Sequence, residues 1–444
     1  MKKINTILLI LLFEGISYSQ PWQEQVSGVT SQLTGISAVD AINAWICGYN
    51  GVVLRTTNTG TNWFNVSGNG IPATILLVNI FGLNQTSAIT AGYIGSNTWV
   101  YRTTNSGANW TQVFTQTGGF INSVHIRLDG TGFMMGDPVG GRWSLWRTTN
   151  NGASWDSTGL YLPQAGSEAG YNNCLSVAGN RIWFGTNNSR IYNTTNNGAS
   201  WVIQNVSPFT NITAIWFDEN GSPTGYCGGD SILKTTNHGA NWFSIGGPGS
   251  GLIVGVAGLT MWGGNLWYVR SGSPIIYFGF GTGQWLIDNT APAGTYRHVA
   301  TDRIPNFPYL AYAVRTNGGI SFKQVFVQGI KSLGGNIPEK FKLHQNYPNP
   351  FNPVTKIKFD IASVGTVHLP VPQAGRTVRL AVYDIVGREI ANLVNEKLNP
   401  GTYEVNWDAS AYPSGVYFYK LTVGDASTSL STSFTETKKM VLIK

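Results

Sequence analysis

Residues 56–63 read TTNTGTNW, and near-copies follow as TTNSGANW at 103–110, TTNNGASW at 148–155 and again at 194–201, and TTNHGANW at 235–242. Successive copies start 47, 45, 46 and 41 residues apart. The shared pattern is T-x-N-x-G-x-(N/S)-W. In it, the Asn side chain can bond amides of its own turn, the Gly can take positive φ without steric cost, and the Thr hydroxyl can tie the turn to its neighbour. The Trp that ends each copy is large enough to bury on the order of 200 Å² over a junction between repeats. We therefore read Asn58, Gly60 and Trp63; Asn105, Gly107 and Trp110; Asn150, Gly152 and Trp155; Asn196, Gly198 and Trp201; and Asn237, Gly239 and Trp242 as structural staples.

Each copy closes a unit of four short strands. In the first unit these are LTGISAV, NAWICGYNG, VVLRTTNTGTNW and the strand starting at Trp63. Four strands in about 45 residues is the size of a β-propeller blade, whereas helical repeats would show apolar spacings of three and four. Residues 252–285 and 295–327 keep the rhythm with the turn degraded or lost. PWQEQVSG, at 21–28, resembles the strand after each turn, yet no blade precedes it. It is expected to supply the missing fourth strand of the last blade, joining the chain ends and removing a sheet edge. The count is then seven blades, with six or eight left open.

Composition agrees with an all-β protein rich in turns. The 444 residues include 55 Gly and 16 Trp, only 11% are charged, and the net charge is +7. Residues 22–330 hold 13 Lys or Arg against 11 Asp or Glu, a balance of +2 that lacks the clustered cations of a nucleic-acid interface. Lys2 and Lys3 precede an apolar run from Ile7 to Phe13 and then Ser17-Tyr18-Ser19, the pattern of a cleaved secretory signal over 1–19. No other stretch has the roughly 20 apolar residues of a transmembrane span. Three cysteines cannot form a fully paired framework, and Cys47 and Cys227 fall at matching places of separate repeats, so all three are expected as small core residues.

After Val327 the rhythm stops. TKIKFDI places Ile357, Phe359 and Ile361 on one side and Lys356, Lys358 and Asp360 on the other, and TVRLAVYD alternates likewise, which marks half-buried strands of a small Ig-like β-sandwich. The boundaries expected are propeller over 20–330, linker over 331–340 and sandwich over 341–444.

The turn pattern resembles the Asp-box, S-x-D-x-G-x-T-W, of BNR-type propellers in sialidases, sortilin-like receptors, xyloglucan-cleaving glycosidases and photosystem II assembly-factor-like proteins. The resemblance implies that the boxes lie between third and fourth strands, away from the usual binding mouth. Asn replaces the Asp throughout, which keeps the turn bonding and drops the charge. HQNYPNPFNPVTKIKFDI, VYDIVGREIANLVNEKLNPGTYEVNWDAS, YPSGVYFYKLTVG and TKKMVLIK resemble the type A C-terminal sorting domain of type IX secretion cargo in Bacteroidetes-type bacteria. This implies export to the cell surface or medium, with the secretion machinery and its sortase-like protease as partners. ASVGTVHLPVPQAGRTV is longer than the usual connection before VYDI.

A propeller ligand is expected at the tunnel end formed by the second-to-third strand loops and blade connections. That face receives Tyr49, Trp99, Asp137, Arg142, Trp143, Arg190, Asp230, Arg270 and Arg315, with Tyr161 and Glu168 from the insert DSTGLYLPQAGSEAGYN. Aromatic rings beside Asn, Arg and carboxylates suit a sugar or an extended peptide. Asp137 and Glu168 are the candidate catalytic pair of a glycosidase or lyase, the alternative to a non-catalytic protein- or glycan-binding module. Asp137 can instead simply cap its Gly-rich hairpin, the reading preferred over chemistry, and Arg55, Arg102 and Arg147 recur at one repeat position, as framework residues do. DRIP at 302–305 matches a sialidase word, but in the last blade instead of near the start. No metal-ligand or nucleophile constellation stands out, so neither metal nor cofactor is expected.

Overall fold

The computed structural model describes residues 21–219, 221–259, 265–279, 281, 283–303, 309–325, 331–333, 338–362, 376–398, 400–409, 412–424 and 434–444. The expected signal over 1–19 lies outside them. The chain divides into two compact units, Gln20–Val325 and a second holding Phe326–Lys444. Every regular element among the described residues is a strand.

The first unit is a seven-bladed propeller. Its inner strands are Leu33–Ala38, Leu76–Gly82, Ile121–Ile126, Gly170–Ala178, Ile212–Phe217, Ile253–Leu259 and Tyr296–Thr301, heading blades 1 to 7. Each packs on the inner strand of the next blade, and that of blade 7 packs on that of blade 1. The ring closes as the sequence suggests: Gln23–Gln25 pairs antiparallel with Ile320–Val325, so the N-terminal strand is the outermost of blade 7. Seven inner strands facing an axis on one edge and neighbours on both faces explain why Leu33–Ala38 is buried at every position instead of alternating.

The core lies between blades. Trp45, Cys47 and Val53 of blade 1 meet Leu77, Ile80 and Tyr101 of blade 2, and Cys174 with Trp183 of blade 4 meet Phe217 and Cys227 of blade 5. All three cysteines are buried and unpaired, and burial pushes the thiols of Cys47 and Cys174 up to about 12. Blade 3 has three regular strands, and the insert after Trp155 takes the fourth place through bridges of Asp156 to Arg147 and Pro163 to Arg142.

The five repeated turns share one bonding scheme. In the second, the Thr103 hydroxyl donates to Asn105 Oδ1 at 3.0 Å and accepts from the Gly107 amide at 3.1 Å, while Asn105 Oδ1 accepts from the Asn109 amide at 3.0 Å. The Thr therefore secures its own turn and not the neighbouring one, a correction to the sequence expectation. The link to the adjacent turn comes from the residue before the Gly, as when the Ser106 amide donates to Thr86 O at 2.8 Å. The Trp does bridge blades: Trp110 Nε1 donates to Val66 O of the preceding blade at 3.0 Å, and its ring meets Trp45 edge-on at 6.1 Å. Trp63 Nε1 likewise donates to Gln25 Oε1 of the closing strand at 2.9 Å.

Gly107 has two reasons to be Gly. Its φ is 83°, and a Cβ there would sit 2.6 Å from Val66 Cβ across the blade junction. Gly107→Ala combines left-handed strain with overpacking, so chemical denaturation is expected to show a loss of about 2–4 kcal/mol. The recurring cations are framework too. Arg55 Nε donates to Gln85 O, and Arg102 Nε to Asn151 O, each reaching the next blade.

Each inner strand also breaks register near its start, between Leu33 and Gly35, Leu77 and Asn79, Ile121 and Ser123, and so on to Tyr296 and His298. Such bulges re-aim side chains at barrel and propeller rims. Blade 4 carries the largest, spanning Gly170 to Leu175, and within it Asn173 has a φ of 64°.

The second unit is a β-sandwich. One sheet orders Lys331–Ser332, Gly401–Asp408, Val354–Ile361 and Lys342–Leu343, and the other Glu389–Leu398, Arg376–Tyr383, Gly415–Gly424 and Phe434–Leu442. Ile357, Phe359 and Ile361 face Val378, Leu380 and Val382 across a shared core. Lys331–Ser332, expected in a linker, is an edge strand paired with Tyr403 and Glu404. The long connection before VYDI falls largely at 363–375, outside the described residues.

Candidate functional site

In an antiparallel blade the first strand starts, and the second ends, on the face opposite the repeated turns. On that mouth face the structure gathers aromatic side chains from four blades. Tyr49 follows the second strand of blade 1, Tyr93 ends that of blade 2, Phe120 precedes the inner strand of blade 3, and Tyr171 lies in the wide bulge of blade 4. All four are half-buried. Tyr93 packs edge-on against Phe120 at 5.0 Å, and the Tyr171 hydroxyl donates to Asn211 Oδ1 at 2.7 Å. Burial raises the Tyr93 phenol and Tyr49 adds to the rise, while the Arg297 guanidinium opposes it. Arg297 is the bulged residue of blade 7, so the bulge delivers the cation to the rim.

Only Tyr49 of this group belongs to the residues picked from sequence. Tyr93, Phe120, Tyr171 and Arg297 were missed because repeat position marks a strand end but not which ring the bulge turns inward. YNN at 171–173 held the available signal, being longer than the equivalent stretch of other blades.

Most of the other sequence candidates serve the framework. Asp137 Oδ1 accepts from Asn122 Nδ2 and from the Gly170 amide, both at 2.8 Å, clipping blade 3 to blade 4. Burial raises its pKa against those two bonds. Glu168 is 2% exposed and accepts from the Tyr192 hydroxyl at 2.7 Å, with Arg190 Nη1 3.6 Å away. Burial, with Glu168 beside it, pushes the Tyr192 phenol up to about 12. Trp143 is 3% exposed and packs on Phe184 and Tyr192 of the next blade. Trp99 packs partly buried beside the blade 1–2 core.

Arg270 is buried and donates to the carbonyls of Pro248, Gly247 and Gly251. Arg315, also buried, pairs with Glu24 of the closing strand and donates to Ala293 O. Asp230 is exposed and accepts from the Thr210 amide at 3.2 Å. Arg142 and Tyr161 are exposed, the latter by 63%.

Asn79 Nδ2 donates to Asn173 Oδ1 at 2.7 Å across the ring, and Asn173 Nδ2 donates to Thr34 O and Val78 O. The enlarged bulge of blade 4 thus sends an amide across the ring that ties it to blades 1 and 2. No group of three or more His, Cys, Asp or Glu able to hold a metal occurs among the described residues.

Fold and tail define a class, the exported β-propeller with a sorting domain. Residues 345–433 match the family model of the secretion system C-terminal sorting domain, and this part of the chain belongs to that family. It marks the protein for type IX export to the medium or the outer-membrane surface, with the secretion machinery as partner. No curated protein sequence matches the chain.

Among solved structures the propeller is similar to YCF48 bound to D1 peptide, at 16% identity and TM-score 0.51, covering 69% of this chain and 97% of that one. YCF48 from Cyanidioschyzon merolae gives 15%, 0.50, 69% and 99% in the same order. The WD40 β-propeller domain of Doa1 gives 11%, 0.51, 68% and 97%. At these identities the likeness is one of fold. No helix among the described residues is long and apolar enough to cross a membrane.

Proposed function

We propose that this protein is a non-catalytic binding module, delivered by its sorting domain to present the propeller's mouth face to a protein or glycan. The carrying observation is the rim of Tyr49, Tyr93, Phe120 and Tyr171 with Arg297 beside it. Half-buried rings, three of the four with a hydroxyl tip, give large contact area at low entropy cost, and the Arg297 cation beside them orients a polar ligand. An extended peptide is the first ligand to test, a reading that the fold neighbour bound to a D1 peptide also favours. Asp137 and Glu168 enter the framework bonds above, which supports binding over hydrolysis. We further propose that residues 1–19 are a cleaved signal, that the turns are Asp-boxes, and that a sortase-like protease removes the sorting domain.

Peptide and glycan arrays with the mature full-length chain test the reading. Replacing Tyr93 and Tyr171 together by Ala is expected to weaken captured ligand by about a hundredfold, as loss of two aromatic anchors does. Asp137→Asn is expected to leave it unchanged. A glycan cleaved by the wild type, and left intact by Asp137→Asn or Glu168→Gln, would establish the hydrolase instead.

A further inference from the structure

Residues of all seven inner strands, Asn79 and Asn173 among them, line a cavity of about 200 Å³ toward the end where those strands finish. Phe81, His125 and Trp216 supply ring surface, and Glu219 and Arg303 stand at the opening. The guanidinium of Arg303 lies over the Phe81 ring at 3.9 Å, one of its Nη atoms donates to Gly82 O, and its Nε is buried with no partner. Phe81 in turn meets the His125 ring at 4.8 Å.

His125 Nε2 stands 4.0 Å from Glu219 Oε1. Burial first, then Arg303 and Arg127, holds His125 well below its ordinary range and keeps the imidazole neutral, while burial raises the Glu219 carboxyl and Arg303 opposes that rise. The Glu219 side chain is 41% exposed and keeps an accepting edge toward solvent. Deeper in, the Ser123 hydroxyl is 2% exposed and has no protein partner. Trp216 reaches the cavity because blade 6 has Gly258 beside it. A Cβ there would stand 2.8 Å from the indole ring.

We propose that this cavity is a second binding site, distinct from the mouth face, that takes one neutral sugar residue. At the rim the Arg303 guanidinium offers donors and Glu219 an acceptor, while Arg303 Nε and the Ser123 hydroxyl, which have no protein partner, are closed off from solvent. Alcohols, which donate and accept from the same atom, fit such a mixture, whereas a simple cation meets Arg303 and a simple anion meets Glu219. Trp216, whose ring stacks on Tyr226 at 6.2 Å and packs against Gly258, adds an apolar edge for the C–H groups of a pyranose. The volume lies below the roughly 300–1,000 Å³ of sites for drug-sized ligands, which limits the occupant to a single small unit. The proposal does not depend on the peptide reading of the mouth face, since none of Tyr49, Tyr93, Phe120, Tyr171 and Arg297 lines the cavity.

The test is titration of the mature full-length chain with glucose, galactose, mannose and N-acetylglucosamine, followed by calorimetry and tryptophan fluorescence. Oligosaccharides ending in the sugar that binds then tell a free monosaccharide from a glycan terminus. One saturable site is expected. Trp216→Ala should abolish it, and Glu219→Gln should weaken it about tenfold, the worth of a hydrogen bond to a charged group. Tyr93→Ala should leave it unchanged. Glu219 accepts no hydrogen bond among the described residues and its contact with His125 is 4.0 Å long, so its variant is expected to melt with the wild type, and Trp216→Phe provides a folded control if the Ala variant does not. Absence of saturable binding by all four sugars, or binding unaltered in both cavity variants, overturns the proposal. Loss in Tyr93→Ala alone assigns the sugar to the mouth face, and so overturns this proposal while supporting that of the mouth.

Discussion

A chain ending at residue 340 is expected to stop in the periplasm, absent from both medium and cell surface when fractions are compared by immunoblot. Residues 345–433 carry the sorting family's match, so their removal takes away the export address while the propeller unit stays whole. A smaller deletion, residues 434–444, should do the same for a different reason. Phe434–Leu442 is the edge strand paired along its length with Gly415–Gly424, and it puts Met440 and Leu442, both at most 1% exposed, into the sandwich core. Removing it strips one sheet of an edge and opens that core. Secretion of either truncated chain at wild-type level would show that the address lies elsewhere.

Trp22→Ala is expected to cost the propeller about 3–5 kcal/mol in chemical denaturation, the usual range for a buried Trp. Trp22 is 4% exposed, its amide donates to Thr290 Oγ1 at 2.9 Å, and Lys323 Nζ lies over its ring at 5.8 Å. The effect should exceed the local packing loss in one respect. Trp22 anchors the strand Gln23–Gln25 that closes the ring, so its loss should also expose the seam to proteolysis. Gln25 binds blade 1 from both ends of its amide, accepting from Trp63 Nε1 and donating to Thr59 O, each at 2.9 Å. Glu24 pairs with the buried Arg315 of blade 7. The closing strand therefore serves two blades at once, and a variant that melted with the wild type would show the closure to be dispensable.

Several elements were legible because their cause is local. The Gly in T-x-N-x-G needs positive φ wherever it occurs, and the five turns have the expected Asn bonding, with Gly at 73° to 86°. The closing strand was legible from an unmatched copy of a repeated strand, and the sandwich faces from period-two alternation at Ile357, Phe359 and Ile361. The Thr role was misassigned because both bonding choices use the same hydroxyl, and only the geometry of the turn selects between them. Arg270 and Arg315 looked available from their place near blade connections. Their burial follows from connector loops whose carbonyls turn inward, which depends on how neighbouring blades pack.

By itself the sequence determined a ring of four-stranded units fastened by Asn, Gly and Trp, and a sorting sandwich behind it. These follow from short-range φ preferences, periodicity and repeat length, which act the same way in every copy. Only the tertiary structure decided which side chains reach the axis. One bulge wider than its counterparts puts Asn173 across the ring, gathers Tyr171 with the rings of three other blades on one face, and leaves Arg303, Glu219 and Trp216 around a cavity toward the other. The physical reason is that blade position fixes where each strand ends, while bulge register and the packing of the next blade fix where its side chains point.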